Sequence, residues 1–320
     1  MVVPTLAADE ALEACLQSLA RQSMRDFEVI VVHNGARELE LPGVKIISNK
    51  TNVGFGAAVN QGIRASESAF VAALNDDAVA EPQWLEALVR VMKERYEIGM
   101  CASRVVLAGT GRLDSAGMLI AKDGTSKQSG HGEPPELFGR RKHALLPSGC
   151  AALYRRDMLE EVGLFDESFF LYCEDTDLGL RARWAAWECV YVPDALVAHR
   201  YSHSAGAASA LKAYYVERNR LYLLIKNFPA AMLWAAPFYS LVRYFWHWIY
   251  GRRGHGTAAS YMRSGEPSPA LIVWRAHRDL LRNIGRLWSE RKRIRRRLTP
   301  KQFRRLLEQY SIGPRKVAQL

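Results

Sequence analysis

Several features that would each assign the chain to a class of protein are missing from its sequence. The five cysteines form no C-x-x-C pair, which argues against a zinc site and a disulfide framework and favours a reducing cytoplasmic setting. Acidic residues follow soon after Met1, without the basic and then apolar layout of a signal peptide. Internal repeats and low-complexity segments are also missing. These absences leave a globular protein of the cytoplasm.

An uninterrupted apolar run of membrane-spanning length is missing too. A helix needs about 20 mostly apolar residues to cross a bilayer, whereas the uncharged segment 227–242 has sixteen residues and is interrupted by Pro229 and Pro237. Arg243 then separates it from an aromatic run at residues 244–250. Aromatic residues of this density beside arginines are typical of the lipid headgroup interface. The sequence therefore argues against a full crossing and leaves open whether residues 227–250 lie in the membrane or on its surface.

Acidic residues are scarce in the last 120 positions. Residues 201–320 hold 23 Lys and Arg against 5 Asp and Glu, a balance of +18, whereas residues 1–200 hold 21 against 28, a balance of −7. Such a basic segment is attracted to polyanions or to an anionic membrane surface, and the arginines alone do not separate the two. Because no recognisable nucleic-acid-binding module accompanies them, the sequence argues against nucleic acid as a partner.

Strand and helix patterns alternate over the first 200 residues. Strands are predicted at 1–6, 27–32, 44–47 and 69–74, with helical patterns between them. Their runs of β-branched residues suit strands that are covered on both faces. The alternation predicts an α/β fold with a mostly parallel sheet, which binds ligands beyond the carboxyl ends of its strands. Residues 107–146, rich in Gly and charge, are predicted to form a loop of the length of a lid, with room for one hairpin inside it.

Asp76 and Asp77 directly follow the strand that ends at Leu74 and Asn75. Adjacent carboxylates repel one another, and Mg²⁺ is typically held by one or two carboxylates together with substrate phosphates. The alternative is an acidic turn exposed to solvent, and the Asp-Asp pair alone does not decide between the two. The position at the end of a buried strand favours a binding site.

A second acidic group lies within residues 163–181, a stretch whose aromatic and aliphatic residues ought to be buried. Glu174 and Asp175 follow the apolar segment 169–172, which should desolvate them and raise a carboxyl pKa toward the range useful to a general base. Acids in the first turn of a helix also complement its dipole, so a structural role stays open. His199 follows an apolar strand, and only its company makes it a candidate metal ligand rather than a core histidine.

Six motifs occur along the chain in a fixed order. They are Val2-Val-Pro-Thr5, Glu28-Val-Ile-Val-Val32, Asn52-Val-Gly-Phe-Gly56 with Asn60, Leu74-Asn-Asp-Asp77, Gly163-Leu-Phe-Asp-Glu167 and Tyr172-Cys-Glu-Asp-Thr-Asp-Leu178. Together they resemble the family 2 glycosyltransferases of GT-A fold, and within that family the rhamnosyltransferase-type enzymes of bacterial cell-surface polysaccharide assembly. The resemblance covers about residues 1–225, and residues 226–320 are interpreted as a basic, aromatic-rich helical extension that associates with a membrane.

The resemblance implies an inverting transfer of a sugar from a nucleotide-diphosphate donor to an acceptor hydroxyl, with Mg²⁺ or Mn²⁺ as cofactor. It implies Asp77 and His199 as metal ligands, Asp175 as general base and Glu174 as its support. Because the sugar leaves through an oxocarbenium-like state, the metal takes up charge on the departing phosphates. The implied donor-binding positions are Thr5, His33, Gly54, Gly56, Asn60, Asn75 and Asp76.

Two positions depart from the family pattern. His33 stands where the family usually has an Asp that contacts the nucleotide base, which leaves uridine and thymidine both open, and Asn75 stands at the first acidic position of the D-x-D element. The resemblance favours dTDP-rhamnose as donor, with other dTDP- or UDP-sugars open. The acceptor it implies is a glycan or a lipid-linked sugar, and the implied location is the inner face of the cell membrane. A homo-oligomer is compatible with the sequence.

A different class of function also stays open. A catalytically degenerate GT-A domain would bind a nucleotide sugar or a glycan without turnover. His33 would then be the first sign that the donor site has changed.

Overall fold

A computed structural model describes residues 1–35, 39–41, 43–200, 209–254, 259–261 and 266–320. The chain divides into two compact units. The first contains Met1–Met118 and Gln128–Ser204, and the second contains Leu119–Lys127 and Ala205–Leu320. The functional boundary predicted near residue 225 stays a prediction.

A mixed sheet of ten strands forms the centre of the first unit. In chain order the strands are β1 (Val2–Thr5), β2 (Ile30–His33), β3 (Lys45–Ser48), β4 (Phe70–Leu74), β5 (Ala78–Ala80), β6 (Ile98–Leu107), β7 (Leu113–Ser115), β8 (Met118–Ile120), β9 (Ser126–Gln128), β10 (Lys142–Ala144), β11 (Ala151–Arg155) and β12 (Glu188–His199). The order in the ten-stranded sheet is β10-β12-β6-β11-β4-β1-β2-β3, with β5 on β12 and β7 on β6, while β8 and β9 pair with each other. Strands β1 to β4 are mutually parallel, and β11 runs antiparallel to both β4 and β6.

Helices cover both faces of this sheet. Alternate strand residues enter opposite cores: Val3 packs with the helices of one face, and Val2 packs with those of the other. Because both faces are buried, the strands need apolar residues at every position, which accounts for the β-branched runs in the sequence. These helices are α1 (Glu10–Ala20), α2 (Phe55–Arg64), α3 (Trp84–Glu94), α4 (Arg156–Val162) and α5 (Glu174–Trp184). Helices α1 and α3 lie on one face of the sheet, and α2, α4 and α5 lie on the other.

Two sequence-based expectations are wrong in detail. Residues 107–146 contain the β8–β9 pair in place of the expected hairpin, but the rest is not a loop, because β7 pairs with β6 and β10 with β12. The apolar runs 189–192 and 195–199 predict two strands, whereas they form one strand, β12, whose register against β6 shifts between Val192 and Leu196. Pro193 lies in that interval, and a proline inside a sheet is tolerated at a bulge because it donates no ladder hydrogen bond.

The second unit is helical, as the sequence predicts. None of the helices in the described ranges combines the length and the apolar character that a membrane crossing requires. Proline occupies the first or second position of four of them, where its missing N–H costs no helical hydrogen bond. The helices are α6 (Ala210–Asn227), α7 (Ala230–Leu233), α8 (Ala236–Arg252), α9 (Pro269–Arg293), α10 (Pro300–Gln309) and α11 (Pro314–Gln319).

A buried ion network ties residues 119–127 to α6 and α8 within the second unit. Arg243 donates from Nε to Asp123 Oδ2 at 2.6 Å and from Nη2 to Glu217 Oε2 at 2.8 Å. Arg220, fully buried, donates to Glu217 and to the Asp123 carbonyl oxygen. Burial alone would raise the pKa of Glu217, but Arg243 and Arg220 lower it well below its usual range. The two positive and two negative charges neutralise one another in a buried site.

Candidate active site

The carboxyl ends of β1, β2 and β4 bring several predicted donor-site residues to one edge of the sheet. Thr5 lies opposite His33 across the β1–β2 pair. Asn75 follows β4 and donates its backbone N–H to the Cys150 carbonyl oxygen at 2.8 Å. Parallel α/β sheets bind ligands at this edge, so Thr5, His33 and Asn75 occupy the position expected of a ligand site.

Asp76 and His33 are polar side chains of this edge that are shielded from solvent. Burial raises the pKa of Asp76 and the neighbouring Asp77 raises it further, while a hydrogen bond from the Thr5 side chain opposes the change. His33 is buried, and its Nδ1 has no hydrogen-bond partner in the described part of the chain. A Cβ at Gly35 would lie 2.5 Å from His33 Nε2, so the glycine leaves room for the ring.

Asp77 and His199 meet where β5 pairs with β12. Ala78 lies opposite His199 in that antiparallel pair, and Asp77 precedes it by one residue. The Arg200 backbone N–H donates to the Asp77 carbonyl oxygen at 3.1 Å. As a result Asp77 Oδ1 lies 3.2 Å from His199 Nε2, and both side chains are buried. The structure thus brings together the two residues predicted as metal ligands.

Asp114 of β7 holds the other side of the His199 ring. Its Oδ2 lies 2.8 Å from His199 Nδ1, and its Oδ1 lies 3.0 Å from His131 Nδ1. Although burial raises the pKa of Asp114, the two histidines more than offset this and lower it. A charged Asp114 accepts a hydrogen bond from His199 Nδ1. The other ring nitrogen of His199, Nε2, is then directed at Asp77.

The donor set at this position suits a cation that is shared with a substrate. Among the residues that the structure describes, no three His, Cys, Asp or Glu side chains gather into a group that could hold an ion by themselves. Asp77 and His199 supply one carboxylate and one imidazole. Mg²⁺ typically takes one or two protein carboxylates and completes its shell with substrate phosphates, and a metal-binding histidine usually donates its other N–H to a carboxylate. The residues present fit such an ion.

Glu174, buried, and Asp175, half-buried, form an acidic pair at the start of α5. Asp175 Oδ2 accepts the Gly149 backbone N–H at 2.8 Å, and its Oδ1 accepts the Thr176 backbone N–H at 2.6 Å and the Thr176 hydroxyl at 3.2 Å. Glu174 is only 6% exposed, and its Oε2 has no hydrogen-bond partner in the described ranges.

The carboxyl groups of Glu174 and Asp175 differ in the hydrogen-bond donors around them, and this difference affects which of them carries the negative charge. Burial and the neighbouring Asp175 raise the pKa of Glu174 to about 8. Burial also raises the pKa of Asp175, although the donors of Gly149 and Thr176 counteract it. Hydrogen bonds to a carboxylate favour its charged form, so Asp175 keeps the negative charge and Glu174 holds the proton.

The backbone that leads into this pair is strained. Phe170, Tyr172 and Cys173 have φ of 63°, 67° and 68°, in the left-handed region that favours glycine. Each such residue costs about 1–3 kcal/mol and persists only where its surroundings enforce it, most often at functional sites. The concentration of strain in front of Glu174 therefore agrees with a working site.

The start of α2 packs against this strained segment. Gly54, at φ 88°, allows the approach, because a Cβ there would lie 2.4 Å from the Phe170 carbonyl oxygen. A Cβ at Gly56 would lie 3.5 Å from Glu174 Cγ. Asn60 is buried and exchanges hydrogen bonds with the Phe165 backbone at 2.9 and 3.0 Å. Two of the predicted donor-site residues thus border the acidic segment, and Asn60 fixes the turn that precedes it.

The remaining acids of the segment have local structural roles. Asp166 Oδ1 accepts the Ser168 backbone N–H at 3.0 Å and caps a short 3-10 helix, Glu167–Phe169. Glu167 bonds to Asn60. Asp177 accepts from Arg181 Nε at 2.8 Å within α5.

One turn, residues 148–150, connects the two halves of the candidate site. The Cys150 carbonyl oxygen accepts from Asn75, and the adjacent Gly149 N–H donates to Asp175. Sequence reasoning missed Gly149, Asp114 and His131. A glycine at the start of a strand pattern is a signal of close backbone approach that could have indicated Gly149. No local signal marks Asp114, because its importance comes only from the pairing of β7 with β6.

Comparison with known sequences gives a family match. The sequence model of the family described as Glycosyl transferase family 2 matches residues 1–163. The N-acetylglucosaminyl-diphospho-decaprenol L-rhamnosyltransferase of Mycobacterium tuberculosis is 29% identical over 255 residues, which cover 67% of this chain and 80% of that protein. The predicted resemblance to family 2 enzymes of rhamnosyltransferase type is confirmed.

Comparison with solved structures gives the fold. GalNAc-T7, solved with UDP, GalNAc and Mn²⁺, matches with a TM-score of 0.58 at 13% identity over 72% of this chain, which spans 48% of that one. The mannosyltransferase PcManGT from Pyrobaculum calidifontis, in complex with GDP-Man and Mn²⁺, matches with a TM-score of 0.51 at 15% identity over 92% of this chain and 83% of that one. This likeness confirms the predicted α/β fold of GT-A type with a helical C-terminal part.

Proposed function

Because the chain belongs to glycosyl transferase family 2, we propose that it is an inverting enzyme that moves a sugar from a nucleotide diphosphate to a hydroxyl of a lipid-linked or cell-surface polysaccharide acceptor. We take dTDP-rhamnose as the donor, since the Mycobacterium tuberculosis relative is a rhamnosyltransferase. The observation that carries the proposal is the Glu174–Asp175 pair, which the turn at 148–150 joins to Asn75, two residues before Asp77 of the Asp77–His199 pair.

Asp77 and His199 would hold a divalent cation, Mg²⁺ or Mn²⁺, together with the donor diphosphate. When bound, the ion takes up negative charge that develops on the departing diphosphate. The Mn²⁺ present in the GalNAc-T7 and PcManGT structures supports this choice. Asp114 would act as a positioning residue, because it accepts from Nδ1 and so keeps Nε2 of His199 available.

Asp175 would accept the proton of the attacking hydroxyl. An inverting transfer needs one base on the face of the sugar opposite the leaving group. Gly149 and Thr176 fix the orientation of Asp175 and keep it charged. Glu174 would keep its own proton, which limits repulsion within the pair.

The nucleotide would lie along the carboxyl ends of β1, β2 and β4, the usual ligand edge of such a sheet. Thr5, Asn75 and Asp76 would face its ribose and sugar. His33 would face the base. A neutral imidazole offers one donor and one acceptor in place of a carboxylate that only accepts, so base recognition here would differ from the family pattern.

Gly54, Gly56 and Asn60 would shape the donor pocket from the side of α2. The glycines contribute by letting the helix start approach the strained segment at Phe170 and Glu174. Asn60 contributes indirectly, by holding the turn at Phe165.

We propose that residues 1–225 form the catalytic domain and that residues 226–320 hold the protein at the inner face of the cytoplasmic membrane. The basic balance of the C-terminal residues supports this location. The name of the Mycobacterium tuberculosis relative specifies a decaprenol-linked acceptor, which supports a lipid-linked acceptor for this chain as well.

The proposed function is tested by sugar transfer from a panel of radiolabelled dTDP- and UDP-sugars in the presence of Mg²⁺ or Mn²⁺. A thermal-shift screen first selects the donor, because a ligand that binds only the native state raises the melting temperature. Transfer from the selected donor is expected for the wild-type chain and is expected to be lost in Asp77→Ala. A donor that binds tightly yet gives neither transfer nor hydrolysis with any metal or acceptor would assign the chain to the non-catalytic class.

Asp114→Asn is expected to weaken Mn²⁺ binding by about 10- to 100-fold, the usual effect of losing a carboxylate behind a ligating histidine. The readout is free Mn²⁺ measured by electron paramagnetic resonance during titration of the protein, so no turnover is needed. His131→Gln is the matched control, because it touches the other Asp114 oxygen and leaves the His199 contact in place. Wild-type Mn²⁺ affinity in Asp114→Asn would show that Asp114 has no positioning role.

A further inference from the structure

A row of large apolar side chains on and just before α8 faces away from the second unit. Their spacing of four, three, four and three residues places them on one helix face, about 21 Å long at 1.5 Å per residue. They are between 48% and 89% exposed, whereas Ala236, Ser240, Arg243 and Tyr250 on the other side of α8 are buried. We call this row the α8 stripe; its members are Trp234, Phe238, Leu241, Phe245 and Trp248.

The surroundings of the α8 stripe are basic. No acidic residue occurs in α8, and the guanidinium of Arg252 lies over the Trp248 ring, 5.1 Å from its centroid. The residues of the whole second unit, 119–127 and 205–320, include 25 Lys and Arg against 6 Asp and Glu, a balance of +19.

Helix α9 repeats the combination of exposed apolar and basic side chains. It carries seven Lys and Arg against two acids. Its exposed large apolar residues follow helical spacing and are Leu271, Trp274, Leu281, Ile284 and Trp288. Amphipathic helices with basic polar faces and with Trp, Phe or Leu on the other face lie in the plane of a bilayer interface.

The charge decides which partner covers the α8 stripe. A second copy of the chain would bring two units of +19 face to face, and their repulsion opposes such a dimer. A nucleic acid would find leucine and phenylalanine outermost where its phosphates need cations. An anionic bilayer meets both requirements, since its headgroups attract the arginines while its acyl boundary takes up the apolar row.

We infer that the α8 stripe inserts into the headgroup region of an anionic phospholipid bilayer, with α8 parallel to the membrane plane. The absence of a spanning helix from the described ranges is consistent with this orientation. The inference rests on the proposed function only for its setting, in which the acceptor is lipid-linked. Vesicle binding is measured without donor or acceptor, so membrane insertion of the α8 stripe and sugar transfer are tested separately, and each can fail while the other stands.

The test is sedimentation of the full-length protein with phosphatidylcholine vesicles, with and without phosphatidylglycerol. The wild type is expected to bind the vesicles that contain phosphatidylglycerol, and less so at high salt. The triple variant Phe238→Ser, Leu241→Ser, Phe245→Ser is expected to partition at least about tenfold more weakly, because fewer apolar side chains leave water. The control variant Tyr96→Ser, Leu137→Ser removes two exposed apolar residues of the first unit and is expected to bind as the wild type does.

A second measurement keeps the test valid if the triple variant folds poorly. Phosphatidylglycerol with brominated acyl chains is expected to quench tryptophan emission of the wild type, and the double variant Trp234→Phe, Trp248→Phe is expected to show measurably weaker quenching while it still binds. Equal vesicle binding by the wild type and a folded triple variant would overturn the inference. A dimer that the triple variant dissociates, or retention on RNA or DNA without vesicle binding, would assign the surface to those partners and overturn it equally.

Discussion

Asp175→Asn is expected to lower the rate constant for sugar transfer by about 10²- to 10⁴-fold, the range that general-base catalysis contributes. Asparagine keeps one of the two acceptor oxygens, which can still accept from Thr176, while its amide NH₂ faces the Gly149 N–H; it cannot take up a proton at neutral pH. The measurement is kcat with the donor selected by thermal shift, together with the donor Kd by calorimetry. The Kd is expected to stay within a few-fold of the wild type.

Two neighbouring substitutions separate the base from its surroundings. Asp166→Asn changes a carboxylate of the same segment that only caps a 3-10 turn, and Asn caps as well as Asp, so a wild-type rate is expected. Glu174→Gln copies the protonated form of Glu174 and is expected to retain more activity than Asp175→Asn. Transfer at the wild-type rate by Asp175→Asn would remove Asp175 from the mechanism.

Arg243→Met is expected to lower the free energy of unfolding by about 3–5 kcal/mol, the usual cost of leaving buried charges uncompensated. Arg243 makes close ion pairs with the carboxylates of both Asp123 and Glu217, at 2.6 and 2.8 Å, and with it removed Arg220 alone would face two buried carboxylates. The measurement is urea unfolding of the whole chain, followed by tryptophan fluorescence and circular dichroism, because two units need not unfold in one step.

The matched control for this network is an arginine whose ion pair is exposed. Arg90 lies 3.5 Å from Asp194 with both side chains mostly in water, and Arg90→Met is expected to change stability by less than about 1 kcal/mol. Adding Asp123→Asn to Arg243→Met is expected to restore part of the loss, because the remaining buried charges then balance better. A loss in Arg243→Met no greater than in Arg90→Met would contradict the description of the network as buried and coupled.

Local sequence patterns predict the elements of this protein better than their partners. The residues between the strand that ends near Tyr154 and Gly163 predict a short helix at 156–162, and α4 spans Arg156–Val162. This prediction needs only the local sequence. The local sequence around Pro193 does not predict that β12 continues past this proline with a shifted register, because that continuation depends on pairing with β6.

The same division applies to the candidate site. Asp77 and Asp175 follow from motifs in their own segments. Asp114 does not, because it becomes adjacent to His199 only when two strands 85 residues apart in sequence join one sheet. Charged residues such as Arg243 and Asp123 are expected at the surface from composition alone, and only tertiary pairing makes their burial affordable.

Residues 119–127 make the second unit a discontinuous domain. The chain leaves the first unit after Met118, returns at Gln128 and leaves again after Ser204, so no single cut separates the two units. A fragment ending before residue 205 would keep Asp123 but lose Glu217, Arg220 and Arg243, with which it is buried. The segment that matches the family, residues 1–163, therefore includes nine residues that belong to the second unit, where Asp123 is buried with Arg220 and Arg243.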